Sequence, residues 1–394
     1  MTKEAIRVAW CIDNMQVGGT ELNAIRTAEL LDRSRFDLRV VSLQDHGPLL
    51  ERYAAAGVPV HPLPLKSLYR PSVLRRGAAL VRLLRKHRVE IVHAHDIYSN
   101  LFAVPWARLA GARTLASRRW WEGSPGMAWR LASRRAYGMA HAVLANSDAI
   151  GRLVTDREGV SPDHVFVVPN FVDAEMFTRP PADAVRALRS ELGIPSGVPV
   201  IGIVANLLPI KNHALLLRAA AVLREQDLAF HLVMVGDGPE RGRLEQLADQ
   251  LDLRAAVTFA GRLPNRPNLH HLFDISVLSS DSEGMPNTVL EAMAAARPVV
   301  STRVGAVADA VVHGESGLLV EPGDVSGLAS ALSWLIRSPA DASRLGAAAY
   351  DVAFTRHSPR AALGRLEHLY ETLAGRSAPA RAPIGHPALV PAGG

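Results

Sequence analysis

Apolar residues recur along the chain with two alternating periods. Short runs rich in Val, Ile, Leu and Ala are separated by longer stretches in which apolar residues return every three to four positions. Buried strands joined by amphipathic crossover helices produce that pattern, and such strands pair in parallel. In the first half, strands are expected at Arg7 to Ile12, Leu38 to Leu43, Val89 to His93, Arg113 to Ser117, Ala142 to Ala145 and Val165 to Val168. In the second half they are expected at Val198 to Ala205, Phe230 to Val235, Val257 to Ala260, Ile275 to Leu278, Pro298 to Thr302 and Gly317 to Val320. Each half thus reads as a doubly wound α/β domain. The segment from Thr178 to Ser196, with Pro180, Pro181 and Pro195, marks the boundary and sets domains at 1–178 and 179–358. A helix over 359–374 is expected to pack back on the N-terminal domain. Residues 375–394, rich in Ala, Pro and Gly, are expected to be disordered. Two such domains would enclose a cleft at the carboxyl ends of their strands, where open α/β sheets bind ligands.

Composition agrees with this size. A chain of 394 residues that is 48% hydrophobic is too long for one ordinary core and too apolar for disorder. The one cysteine, Cys11, has no disulfide partner in the chain and rules out cysteine-clustered metal sites. A reducing, cytosolic setting is expected, because no signal-peptide core precedes the first strand and no apolar run approaches the roughly 20 residues that span a bilayer. The net charge of +6 is unevenly placed. Residues 1–178 hold 24 Lys and Arg against 17 Asp and Glu, whereas residues 179–394 hold 20 against 21. Residues 66–88 alone carry eight basic residues and no acid, which suits phosphate, nucleic acid or an anionic membrane.

The segment Ser282 to Met293 follows a buried strand and turns helical near Asn287. Backbone N–H groups around Pro286 to Val289, apart from proline itself, would aim positive partial charge at a diphosphate, with the Thr288 hydroxyl as a further donor, and Gly284, Met285, Pro286, Asn287 and Thr288 are expected to bind the donor. Glu283 before the helix and Glu291 one turn inside it are better explained as acceptors for hydroxyls on either side of that diphosphate, which describes a nucleotide-sugar. This segment resembles the Glu, seven residues, Glu motif of the retaining family 4 glycosyltransferases of GT-B fold, and the likeness extends to about residue 374. The resemblance implies two Rossmann-like domains, with Glu283 contacting the donor sugar and Glu291 the ribose hydroxyls.

Three further loops match the family. Val200 to His213 is a strand ending in a loop that opens a helix; Lys211 matches the family lysine that neutralises the departing diphosphate. Asn206 stands where the family has an arginine, leaving Arg262 as the alternative cation. Gly18 and Gly19, followed by Glu21, resemble the family's N-terminal Gly-Gly-x-Glu loop, whose backbone reaches the donor phosphate and the acceptor. His95, two residues after His93, matches a histidine that contacts the donor sugar near the reacting carbon. No third ligand accompanies the two histidines and no Asp-x-Asp motif ends a strand, so neither a metal nor another cofactor is expected beyond the nucleotide-sugar co-substrate. Gly236 to Arg241 lacks the third glycine of a dinucleotide fingerprint and reads as a structural turn. Ala296 and Ala306 replace glycines common in the family.

The resemblance implies retaining transfer from a nucleoside-diphosphate sugar, a UDP-sugar in preference to a GDP-sugar, to an acceptor hydroxyl in bacterial polysaccharide or glycolipid synthesis. Other GT-B activities, a sugar phosphorylase or a nucleotide-sugar epimerase, remain open, as does a basic nucleic-acid-binding protein. Against nucleic acid as partner, Leu74, Ala78, Val81 and Leu84 form a stripe that would dock one helix and leave Arg75 and Arg76 outside. With Arg118, Arg119, Trp120, Trp121, Trp129, Arg130, Arg134 and Arg135, these arginines suit a lipid-linked acceptor at an anionic membrane, making the protein cytoplasmic and peripheral to the inner face.

Overall fold

A computed structural model of the chain describes residues 4–119, 126–263 and 267–377. The chain divides into two compact units, residues 1–170 with 360–394, and residues 171–359. The first contains β1 (Ile6–Ile12), β2 (Phe36–Ser42), β3 (Val60–Pro62), β4 (Ile91–Ala94), β5 (Arg113–Arg118), β6 (Ala142–Ala145) and β7 (Val165–Val167), in the spatial order β3-β2-β1-β4-β5-β6-β7. The second contains β8 (Val200–Val204), β9 (His231–Val235), β10 (Val257–Gly261), β11 (Ile275–Leu278), β12 (Val299–Thr302) and β13 (Leu318–Val320), in the order β10-β9-β8-β11-β12-β13. All neighbouring strands in both sheets pair in parallel. Every expected strand is present with its ends moved by at most two residues. The additional strand, β3, carries Pro62 and follows Pro59, which fits its place at the sheet edge, where no ladder donor is missed.

Winding direction reverses at one point in each sheet. After β1 the chain builds outward through β2 and β3, then returns to the other side of β1 with β4; β8 and β11 stand in the same relation. The connections leaving such a pair diverge and open a crevice at the strands' carboxyl ends. Those ends are Asp13 and His95 in the first unit, and the loops beginning at Ala205 and Ser279 in the second.

The sheets are buried on both faces. Val8, Trp10 and Ile12 of β1 enter one apolar cluster, Ala9 and Cys11 the other. Leu366, Leu369 and Tyr370 of the helix Pro359–Leu373 join Trp10's cluster. Tyr370 Oη accepts from Trp10 Nε1 at 2.8 Å, and Arg35 reaches Glu367 and Glu371 at 2.6 and 2.8 Å, so this last helix belongs to the first unit. In β8, Gly202 is obligatory for packing, since a Cβ there would lie 2.1 Å from the ring of Phe273.

Two sequence expectations need correction. The division lies between Asn170 and Phe171, ahead of the proline-bearing segment. Residues 171–178 stay with the second unit because Val172 N–H donates to His357 O at 3.0 Å and Phe177 packs edge-on against Tyr350 and Phe354 at 5.8 and 5.7 Å. The helix Ser72–Lys86 docks through Val73, Gly77, Leu80 and Leu84; Leu74 and Ala78 point outward, Leu74 being 62% exposed. Gly77 selects that face, because Trp106 occupies the space its Cβ would fill, 1.9 Å from the indole. No helix among the described residues is long and apolar enough to cross a membrane. Residues 378–394 of the expected tail lie outside the described residues.

Candidate active site

At the β8–β11 crevice, two loops are fastened together. Ser279 Oγ donates to Lys211 O at 3.0 Å, Asp281 N–H donates to Ile210 O at 2.9 Å, and Asn212 Nδ2 donates to Asp281 Oδ1 at 2.8 Å. Asn212 adopts positive φ, 44°, and caps the helix His213–Glu225 by accepting from Leu215 N–H. Lys211 is thereby fixed at the crevice, with Nζ 2.6 Å from Glu283 Oε1. The same oxygen accepts from Ser280 Oγ at 2.6 Å. Burial, reinforced by Lys211, pushes His213 down to about 4, so it adds no competing charge.

The helix Asn287–Ala294 begins immediately after the loop and has no side-chain cap among the described residues. Pro286 supplies its entry, and Val289 N–H is taken by Pro286 O at 3.2 Å, so Val289 does not present the free donor expected of it. Glu291 is buried, with a carboxylate oxygen 3.4 Å from His270 Nε2. Gly305, at φ 53°, lets the next loop press on Glu283, whose carbonyl oxygen would lie 1.8 Å from a Cβ there. Ala306 causes no obstruction: its N–H donates to Gly284 O at 2.9 Å. Ala296 ends the glutamate helix in the left-handed region at φ 55°, with Arg297 N–H donating to Ala292 O, a Schellman geometry that favours glycine.

Asn206 is exposed on the loop after β8. That loop is supported by the Gly236–Gly238 turn, whose Asp237 O accepts from Leu207 N–H at 3.1 Å; a Cβ on Gly236 would lie 2.0 Å from Ala205 O. Arg262 is exposed just beyond β10, two strands from β8.

At the β1–β4 crevice the histidines and Asp96 are withdrawn from water. Asp96 Oδ2 accepts from Asp13 N–H at 2.8 Å while Oδ1 caps the helix Ile97–Ala110 through Ser99 N–H. Burial pushes its carboxyl up to about 7 despite these donors. His95 is 1% exposed, stacks on His93 at 4.0 Å and lies 4.7 Å from Trp10; neither ring nitrogen has a hydrogen-bond partner among the described residues. His93 lies on the same side but is fastened: its ring bridges Tyr370 Oη at 2.7 Å and Ser117 Oγ at 2.8 Å. Burial, then neighbouring positive or ionisable groups, holds both imidazoles well below their ordinary pKa. Gly18 and Gly19 do not use positive φ. Gly18 instead gives room to Glu21, whose carboxylate folds back to 2.4 Å from a Cβ placed there, while Gly19 is exposed with open space around it. Desolvation raises the Glu21 pKa.

Arg118 and Arg119 do not form a membrane-facing patch. Arg118 is 1% exposed and paired with Glu158 at 3.1 Å. Arg119 donates to Asn23 Oδ1 at 3.0 Å, with burial lowering its pKa to about 10 and Glu21 among the groups opposing that shift. Both are drawn inward because β5 ends beside acceptors that sequence spacing does not reveal. Arg75 and Arg76 are exposed, while Trp120 and Trp121 lie outside the described residues. Ser280, His270 and Tyr370 were not singled out by sequence; none stands in a recognisable motif, and their roles arise from contacts across the fold.

Each unit thus carries a switch-point crevice of its own, with Lys211 paired to Glu283 at β8–β11 and the buried His95 at β1–β4. The family model "Glycosyltransferase Family 4" matches residues 17–176, and "Glycosyl transferases group 1" matches residues 185–352. EpsF of Bacillus subtilis, a putative glycosyltransferase, is 29% identical over 76% of this chain and 80% of its own length. A D-inositol 3-phosphate glycosyltransferase of Corynebacterium jeikeium is 30% identical over 72% of both chains. The Anabaena protein HepE, solved in complex with UDP, superposes with a TM-score of 0.84 at 21% identity, covering 93% of this chain and all of that one (100%). The chain belongs to the group 1, family 4 glycosyltransferases of GT-B fold.

Proposed function

We propose that the protein transfers a hexosyl group from a UDP-sugar to an acceptor hydroxyl with retention of anomeric configuration and without a metal ion. The observation that carries this reading is the β8–β11 crevice, where Lys211 and an uncapped helix start are flanked by Glu283 and Glu291. Lys211 exchanges Glu283 for the donor diphosphate, and the helix dipole near Thr288 adds to the stabilisation of the leaving group. Glu291 binds the ribose hydroxyls; Glu283, released from Lys211 but still held by Ser280, orients the sugar. The bond from the anomeric carbon to the diphosphate oxygen breaks with its electron pair on UDP. The acceptor oxygen bonds to that carbon from the same face, and its proton passes to a diphosphate oxygen. His95 and the Gly18–Gly19 turn are the first unit's contributions to the reaction. HepE, solved with UDP, supports the choice of nucleotide.

The acceptor is proposed to be lipid-linked, with the enzyme peripheral to an anionic membrane. Exposed Leu74 beside Arg75 and Arg76, and exposed Tyr69 packed edge-on to Trp129 at 6.5 Å, support this reading. Melting temperatures in UDP-glucose, UDP and GDP-mannose test the donor assignment. The uridine compounds are expected to raise the wild-type transition and to leave Glu291→Ala nearly unmoved. An equal rise in that variant, or a rise with GDP-mannose alone, overturns the assignment.

A further inference from the structure

The first unit contains a cavity of about 910 Å³ that the proposed reaction does not use. It lies at the amino-terminal edge of the sheet: Arg113 begins β5, His141 immediately precedes β6, and His164 immediately precedes β7. Arg108 completes the basic lining. Glu90 is the one carboxylate among the described lining residues, and it is engaged by Arg7 N–H at 3.0 Å and Arg376 at 3.2 Å.

Hydrogen bonds fix the tautomer of His141. Its Nδ1 accepts from Thr114 N–H at 3.0 Å. Thr114 Oγ1 accepts from His141 N–H at 3.2 Å, so its own hydrogen points to the same Nδ1, 3.0 Å away. The ring proton therefore sits on Nε2. That nitrogen lies 3.4 Å from Arg108 Nη1, which has no lone pair to offer. One Nη1 hydrogen goes to Met139 O at 2.9 Å, leaving another to face the imidazole N–H. Two donors thus adjoin with no acceptor between them among the described residues. Burial and the nearby cations Arg108 and Arg113 push the His141 pKa down, keeping the ring neutral.

We propose that this cavity binds a small phosphate-bearing molecule, one oxygen of which accepts from both His141 Nε2 and Arg108 Nη1, with Arg113 and His164 facing the remaining charge. Four basic side chains around one space suit a multi-oxygen dianion better than a carboxylate, and the volume exceeds what a bare ion fills. A mononucleotide or a sugar phosphate has the required chemistry, and the site is independent of the donor assignment.

Ring resonances of His141 in the labelled full chain, titrated with inorganic phosphate, glucose 1-phosphate and glucose, test the proposal. Both phosphates are expected to move the resonances saturably and to raise the His141 titration midpoint, while glucose does neither. Arg108→Met is expected to weaken binding about tenfold, the loss of one charge-assisted hydrogen bond. Lys211→Ala is expected to leave the response intact, separating this cavity from the β8–β11 crevice. Absence of saturation by about 50 mM phosphate, a affinity far weaker than millimolar, overturns the site. An undiminished response in Arg108→Met, or its loss in Lys211→Ala, overturns it equally.

Discussion

The two crevices occupy the same place in two similarly wound sheets, yet they are prepared in opposite ways. At β8–β11, Lys211 and Ser280 converge on one oxygen of Glu283, so formal charges are present and already paired. At β1–β4, His95 is enclosed by aromatic rings and held neutral. A paired lysine can exchange one anion for another without first paying the full cost of desolvating a lone charge. A neutral imidazole instead offers a hydrogen bond to a hydroxyl without attracting a diphosphate to the wrong place. The shared winding therefore gives each sheet a crevice, and local burial decides which polar groups each presents.

The largest expected effect tests the charged side. Lys211→Ala should lower kcat by about 10² to 10³, the scale for losing one preorganised group on a developing negative charge, measured as acceptor-dependent UDP release. A loss below tenfold would shift the leaving-group role to another cation, for which Arg262 is the first choice.

A smaller effect tests the neutral side through pH. Folding raises the Asp96 pKa from 3.8 to about 7, so the folded state holds a proton that the unfolded state has released. Its stabilising contribution is full below the unfolded pKa and disappears as pH rises through about 7. Between about pH 6.5 and 8 this amounts to roughly 1 kcal/mol, and the two buried histidines, neutral when folded but half protonated at about pH 6.5 when unfolded, oppose it by a similar amount, so the Asp96 contribution is read as a difference between variant and wild type. Below about pH 6.5 the opposition of the histidines grows, since the unfolded state gains their protons first. Urea unfolding of Asp96→Asn should lack that falling component, so that its stability rises with pH relative to the wild type over the upper window, whatever its absolute stability. An unchanged slope would mean that Asp96 is ionised throughout.

The smallest effect separates the units thermodynamically. Ala296→Gly relieves a left-handed alanine and should stabilise the second unit by about 0.5 kcal/mol, after the greater chain entropy of glycine is deducted. Site-resolved hydrogen exchange should slow around Asn287–Ala294 and not around β1; destabilisation would show that the Schellman turn tolerates alanine at no cost.

How much could be read in advance follows from where each signal resides. Strands buried on both faces are near-continuous apolar runs, so β4, β6, β9, β11 and β12 stand out locally, whereas β3, an edge strand with prolines, does not. The helix Ser72–Lys86 was misphased because its docking face contains Gly77, which contributes nothing to an apolar stripe although it admits Trp106. The glutamates and Lys211 were legible from their loops. Their 2.6 Å contact was not, because it depends on β8 and β11 becoming neighbours. Arg118 looked like surface because its partner Glu158 lies forty positions further along the chain.

The helix Pro359–Leu373 also orders events during synthesis. Its Tyr370 supplies the hydroxyl on which Trp10 and His93 both depend, yet residues 171–359 must leave the ribosome first. At roughly 5 to 20 residues per second, β1 and β4 wait many seconds for the group that completes their interior. The second unit, continuous in sequence, can finish during that interval, so the part of the chain made first is the last to close.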